Sequence, residues 1–297
     1  MGISKVNYKN KTLIDLTADT VNADALLKGC TAHGSNGELI VGKAEIYVKP
    51  AVEIVTWANG TEVQLAAMLK AHYAGTINIY DYWKVGDARQ VSLSAMGKGV
   101  VGETHVAQTK TFVLMNAGGK TLENPINGKT ECAFVVGQKN CLANGAAAEN
   151  GFMNGSATTT GGWEKCARRI WCNDTYAAAL PAEFRKLFKT FRNVTADGSN
   201  STNKTTSIDK FALASEKEIF GSVGYANNIA EEDNEQFEFY KTSANIEKRA
   251  GDSGSVVYYW ERSPAAKIRY FCGIQVGGTK NYDPANNNHG IAPFGCI

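Results

Sequence analysis

Gly251-Asp252-Ser253-Gly254-Ser255 is the stretch that most directly suggests chemistry. A serine on a glycine-flanked turn can act as a nucleophile when a histidine base and an orienting carboxylate lie within hydrogen-bond reach. The chain order His, Asp, Ser is available, with Thr31-Ala32-His33 offering the base. Gly, Asp and Ser are also ordinary turn residues, and the run leads straight into Val256-Val257-Tyr258-Tyr259-Trp260. A serine hydrolase using Ser253 is therefore the minor alternative. The seven cysteines (30, 132, 141, 166, 172, 272 and 296) include no CxxC pair, and four histidines are poor material for zinc. Cys272 and Cys296 sit in apolar runs, Phe271-Cys272-Gly273-Ile274 and Phe294-Gly295-Cys296-Ile297. That setting suits buried, inert thiols. The acidic run Glu231–Glu235 reads as a solvated loop, and Asn173-Asp174 as a helix cap. No catalytic residue, metal site or cofactor is expected, and the chain reads as a non-enzyme.

Recognition chemistry is denser, and it lies near the end of the sequence. Trp260 and Pro293-Phe294 look like apolar anchors. Between them lie Arg269, Tyr270, Gly273, Gln275, Gly277, Thr279, Asn281, Tyr282, Asp283, Asn286, Asn287 and His289. Rigid aromatics mixed with small polar residues are the composition of a binding surface. Cys272, Ile274 and Val276 alternate with Gly273 and Gln275, which predicts a strand burying the first set and exposing the second.

The elements that must position these residues can be read more coarsely. At 297 residues with 43% hydrophobic content, the chain has material for one large domain or two ordinary ones. Its net charge of +2 includes no basic block, so neither nucleic acid nor an anionic membrane is an expected partner. No apolar run is long enough to span a bilayer. The first residues lack the apolar core of a secretory signal, so a chain made and kept reduced in a cytosol is expected.

Residues 1–49 read as a small module: a strand over Thr12–Leu16, a helix starting at Asn22 or Asp24 and stopping at Gly29, and a strand at Glu38–Val41. In the remainder, Thr61 caps a helix over Glu62–His72. Strands are expected at Gln90–Ser94, Thr111–Met115 and Ala133–Val136. Helices are expected over Glu164–Trp171, ending near Asn173, and over Pro181–Phe191. Phe184, Leu187, Phe188 and Phe191 would share one face of the latter. Asn193–Ser207 is polar and reads as a loop, Ile208–Ser215 as a strand. A helix-rich half followed by a strand-rich half points to α+β.

Two resemblances add to this. Leu13-Ile14-Asp15-Leu16-Thr17-Ala18-Asp19-Thr20-Val21, with Leu26-Leu27-Lys28-Gly29 and Thr31-Ala32-His33, resembles a short module of phage tail and prophage structural proteins. Over residues 50–297, Trp83-Lys84-Val85-Gly86-Asp87, Gly161-Gly162-Trp163 with Arg168, Leu180-Pro181, Ser215-Glu216-Lys217-Glu218 and Trp260-Glu261-Arg262-Ser263 resemble a phage and bacterial family with the C-type lectin-like fold. The C-terminal end is similar to the variable proteins of diversity-generating retroelements.

The resemblance implies a small attachment or oligomerisation module (1–49) and a C-type lectin-like domain (50–297) with a variable region at about 258–293. It implies a tail-associated receptor-binding protein of the virion, made in the bacterial cytoplasm. Its partners would be phage tail proteins and a bacterial surface receptor, protein or glycan. It would be a homo-oligomer, for instance a trimer. The runner-up is a non-variable structural virion or bacterial surface protein.

In such systems template adenines mutate, so the first two positions of Asn codons vary. Arg269, Tyr270, Gly273, Gly277, Thr279, Tyr282, Asp283 and His289 are reachable from those codons, and Asn281, Asn286 and Asn287 are the unmutated state. Lys267, Gln275 and Lys280 are not reachable from those codons, so they are either fixed or come from other adenine-containing codons. Trp260, Arg262, Phe271, Ile274, Gly278, Ala285, Gly290 and Pro293 would be scaffold.

Overall fold

The computed structural model describes residues 5–17, 20–44, 52–143, 151–229 and 235–297. The chain divides into two compact units, Met1–Pro50 and Ala51–Ile297. The acidic run at 231–235 lies, but for Glu235, outside the described residues.

The first unit holds two antiparallel hairpins. One pairs β1 (Lys5–Tyr8) with β2 (Lys11–Asp15), the other β3 (Thr31–His33) with β4 (Leu39–Val41). Lys9 and Asn10 both take positive φ, 46° and 60°, as a two-residue turn between twisted strands requires. The helix expected after Asn22 is a single turn. Asn22 Oδ1 accepts the amides of Asp24 and Ala25, and Leu27 already bridges to Ala44. So short a segment cannot repay helix nucleation.

In the second unit, α1 (Glu62–Tyr73) starts on a capping box. The Gln64 amide donates to Thr61 Oγ1 (3.3 Å), and the Thr61 amide donates to Gln64 Oε1 (2.9 Å). Strands β5 (Ala88–Leu93), β6 (Gln108–Ala117), β7 (Thr121–Ile126), β8 (Lys129–Glu131) and β9 (Phe134–Gln138) follow. Helix α2 (Ala167–Trp171) starts later than expected and continues through a wide turn, Cys172–Tyr176, into α3 (Ala177–Ala179). Asn173 is no cap. Its Oδ1 accepts the amides of Lys210 and Phe211 (2.6 and 3.1 Å), tying the turn to a later strand. The helix expected to reach Phe191 is α4 (Ala182–Leu187); Phe184, Leu187 and Phe188 are buried, and Phe191 opens β10 (Phe191–Ala196).

Strand β10 pairs residue for residue with β11 (Lys204–Asp209), where a loop was expected. The inward residues are polar, which hides the alternation that marks a strand. Asn193, Thr195, Ser207 and Asp209 are all buried. The Asp209 carboxylate accepts from Trp163 Nε1 (3.0 Å), Asn193 Nδ2 (2.8 Å) and Ser207 Oγ (2.7 Å).

The remaining elements are β12 (Phe211–Ala212), α5 (Glu216–Phe220), β13 (Lys248–Arg249), β14 (Val256–Val257), β15 (Tyr259–Pro264), β16 (Tyr270–Gln275), β17 (Thr279–Pro284) and β18 (Phe294–Cys296). The five-stranded sheet of the core runs β12-β18-β9-β6-β5, all antiparallel. Its strands come from both ends of the unit, so the expected division into a helical half and a strand half does not hold. Several small antiparallel sheets with short helices make the unit α+β.

The Gly251–Ser255 run is a latch. Asp252 Oδ2 accepts from the Thr111 amide (2.9 Å) and Thr111 Oγ1 (2.7 Å), while Oδ1 lies 3.2 Å from the buried Lys110 ammonium. Ser253 is exposed and hydrogen-bonds no histidine among the described residues. Asp252 therefore fastens the run to β6, and among the described residues it hydrogen-bonds no histidine.

Candidate ligand-binding surface

The frame is built first. Glu218 and Arg262, both fully buried, form a two-pronged ion pair, with Nη2 to Oε1 at 2.8 Å, and buried Lys120 also pairs with Glu218. Ser215 and Glu218 close a capping box on α5. The Glu216 amide donates to Ser263 Oγ (3.1 Å). The two tetrapeptides 215–218 and 260–263, far apart in sequence, thus meet as one polar knot beneath β15. Burial alone would raise the Glu218 carboxyl, but the charges of Arg262 and Lys120 outweigh it and hold it at about 2. Trp260, buried, donates its Nε1 to the Gly151 carbonyl (2.9 Å).

On this frame sits the three-stranded sheet β15-β16-β17. Register places Tyr270, Cys272, Ile274, Lys280, Tyr282 and Pro284 on one face, and Phe271, Gly273, Gln275, Thr279, Asn281 and Asp283 on the other. The residues expected to form one surface therefore fall into three patches.

On the first face, Tyr282 packs edge-on to Tyr270 (5.4 Å between centroids) and to Tyr225 (4.8 Å). The Lys267 ammonium lies 4.5 Å from the Tyr270 ring centre and 5.1 Å from that of Tyr282, a cation–π arrangement. The Tyr225 loop is clamped by the buried Glu216 carboxylate, which accepts the amides of Gly224 (2.9 Å), Tyr225 (3.0 Å) and Ala226 (2.9 Å). Lys280 Nζ donates to the Ser222 carbonyl (2.7 Å) and hydroxyl (2.9 Å), so it holds this loop. Tyr225 was missed by the sequence reading; no spacing in 222–229 marks it.

On the second face, His289 Nε2 and Asp283 Oδ2 lie 2.6 Å apart, and Asn287 Nδ2 donates to the same oxygen (2.8 Å). The His289 ring stacks on Tyr258 (3.9 Å), which itself lies across Gly273. His289 is thus packed, against the expectation of a free surface residue. Gly273 is buried rather than exposed, and Val276 is exposed rather than buried. Asn286 is exposed. Gln275 points outward, hydrogen-bonded to Thr279 and Asn281 across the tip. The tip needs its glycines: Gly277 and Gly278 have φ of 99° and 72°. Gly277 is accordingly constrained by backbone geometry as well as exposed.

The third patch is the β15–β16 turn. Arg269, exposed with φ 75°, faces loops 157–160 and 197–200 rather than the other site residues.

The family match begins inside the core strand β9: residues 136–297 match a domain of unknown function, DUF6273. The chain belongs to the DUF6273 family. No curated protein and no solved structure matches the chain. In this DUF6273 chain the matched segment contains β10 to β18 and all three patches.

Gly273 yields a direct test. A Cβ there would lie 2.4 Å from Tyr258 Cε1 and 2.8 Å from the Tyr259 carbonyl. Gly273→Ser should cost about 1–3 kcal/mol through overpacking, read as a lower melting temperature. An unchanged melting temperature would show that Tyr258 can swing aside freely.

Proposed function

We propose that this chain is a non-enzymatic receptor-binding protein, whose second unit is a C-type lectin-like domain displaying a diversified surface on the β15–β17 hairpins. One observation carries this reading. Within residues 258–293, the side chains that fix the frame (Trp260, Arg262, Phe271, Ile274, Ala285) are buried, whereas Arg269, Thr279 and Asn286 are exposed on loops or the edge strand. A surface can vary while its scaffold stays constant only if the two sets are separated in this way. Lys280 fits the same logic, since its codon would stay fixed and its ammonium secures the Tyr225 loop. Gly273 and His289 are the exceptions, and there variation would be limited to what the packing tolerates.

In this reading the first unit attaches the protein to a phage tail or assembles it with copies of itself, and repeated display raises weak single-site affinities. The receptor is a protein or glycan on a bacterial surface. Sequencing the DNA beside the coding region tests the proposal. A near-copy of the codons for residues 258–293, next to a reverse transcriptase gene, is expected. A flanking region with neither would leave a non-variable surface or virion protein.

A further inference from the structure

A second binding element adjoins this surface and draws most of its lining from outside the 258–293 segment. Three loops enclose a polar pocket of about 360 Å³, within the roughly 300–1,000 Å³ typical of small-ligand sites. Its polar lining includes Thr158, Thr160, Asp197, Ser199, Asn200 and Arg269. The loops are locked together. Thr159 Oγ1 and Ser199 Oγ lie 2.9 Å apart, Asn154 Nδ2 donates to the Thr158 carbonyl (2.8 Å), and Asn227 Nδ2 donates to the Gly198 and Ser201 carbonyls (both 2.9 Å). Such bracing leaves a ligand little loop ordering to impose.

Against that rigid floor, three polar groups have no internal use. The Arg269 guanidinium, the Asn200 amide and the Asp197 carboxylate make no side-chain hydrogen bond or ion pair among the described residues. Arg269 is moreover held at a positive φ that a non-glycine residue seldom adopts, by its carbonyl accepting the Ala285 amide (3.0 Å). Strain of this kind collects at ligand sites.

We infer that this pocket binds the carboxylate-bearing sugar of an acidic glycan. The inference rests on the reading of the adjoining surface as a receptor-binding one and names the ligand class at its end. A guanidinium matches a carboxylate with two parallel hydrogen bonds. The Asn200 amide, the Asp197 carboxylate and the threonine hydroxyls suit a ring rich in hydroxyl groups. Asp197 disfavours a doubly charged phosphate more than a singly charged carboxylate. Exposed Ile268 gives the rim an apolar edge for a sugar's C–H face. Along the same turn, Lys267 over Tyr270 and Tyr282 continues the surface with a second cation and stacking rings for the next sugar.

Calorimetric titration of the full chain with trigalacturonate, a hyaluronan tetrasaccharide and sialyllactose tests the inference, with maltotriose and triglutamate as comparisons. At least one acidic saccharide should bind. Arg269→Ala should weaken it by about tenfold or more, as expected for a lost charge-assisted bond. Asn200→Gly, which keeps the left-handed backbone, should weaken it several-fold. Amide NMR shifts on titration should map to residues 158–160 and 198–200. Equal binding of maltotriose or triglutamate, intact binding in Arg269→Ala, or no binding by any acidic saccharide would each overturn the inference. Binding to bacterial cells that survives Arg269→Ala but is lost on tyrosine substitution would remove the pocket and leave the proposed function standing.

Discussion

Glu218→Gln should lower the melting temperature by roughly 6–20 °C. Breaking a buried ion pair by removing one charge costs about 3–5 kcal/mol, because the partner stays buried and uncompensated. Each kcal/mol is worth about 2–4 °C in a domain of this size. Here two cations, Arg262 and Lys120, lose their common carboxylate, and all three residues are buried. The acid limb should change with it. The Glu218 carboxyl is held at about 2, below its ordinary 4.5, by the two neighbouring cations against the effect of burial. Its contribution is therefore complete above pH 4.5 and lost as the pH falls toward 2. The wild-type protein should lose stability across that window more steeply than Glu218→Gln does. Replacing the triad together, with Lys120→Met, Glu218→Leu and Arg262→Met, should recover much of the loss, since well-packed apolar groups often substitute for buried ions without penalty. A melting temperature for Glu218→Gln within a degree or two of wild type would show that the knot does not hold the frame.

Under the proposed function, Tyr225→Ala combined with Tyr282→Ala should reduce attachment of the labelled protein to bacterial cells by about thirtyfold or more. Aromatic anchors in binding surfaces contribute about 2 kcal/mol or more each, and 1.4 kcal/mol is a factor of ten. The two rings touch, with centroids 4.8 Å apart, so their effects should not add and a double-mutant cycle should expose the coupling. Tyr225 is 43% exposed, and its loop is held by backbone amides on Glu216 rather than by its own ring. The melting temperature of Tyr225→Ala should therefore fall by only a few degrees. Cell attachment undiminished in the double variant would move the binding surface elsewhere on the molecule.

The sequence disclosed the parts of this structure that obey local rules. The Thr61 cap, the apolar face of α4 and the burial of Trp260 and Phe271 follow from spacing and residue type. The resemblance placed 215–218 and 260–263 among five motifs of one family, without revealing that Glu218 and Arg262 join these two. What the sequence hid was hidden for physical reasons. The β10–β11 hairpin buries polar residues around Asp209, so hydropathy does not mark it as a strand pair. The site residues alternate along β16 and β17, so neighbours in sequence fall on opposite faces. Tyr225 and the loops around Arg269 reach the surface through long-range contacts that no local pattern encodes.

Strand β18 lies between β12 and β9 in the core sheet, yet it follows the whole β15–β17 region in sequence. During synthesis the core cannot close until that region has emerged and folded back, because the strand that completes it comes later. Closing contacts between segments so far apart is slow and leaves apolar edges uncovered meanwhile. If the surface varies as proposed, a variant whose hairpins fail to settle would delay the seating of β18 and linger as a target for proteases, so folding speed would filter the variants as they are made.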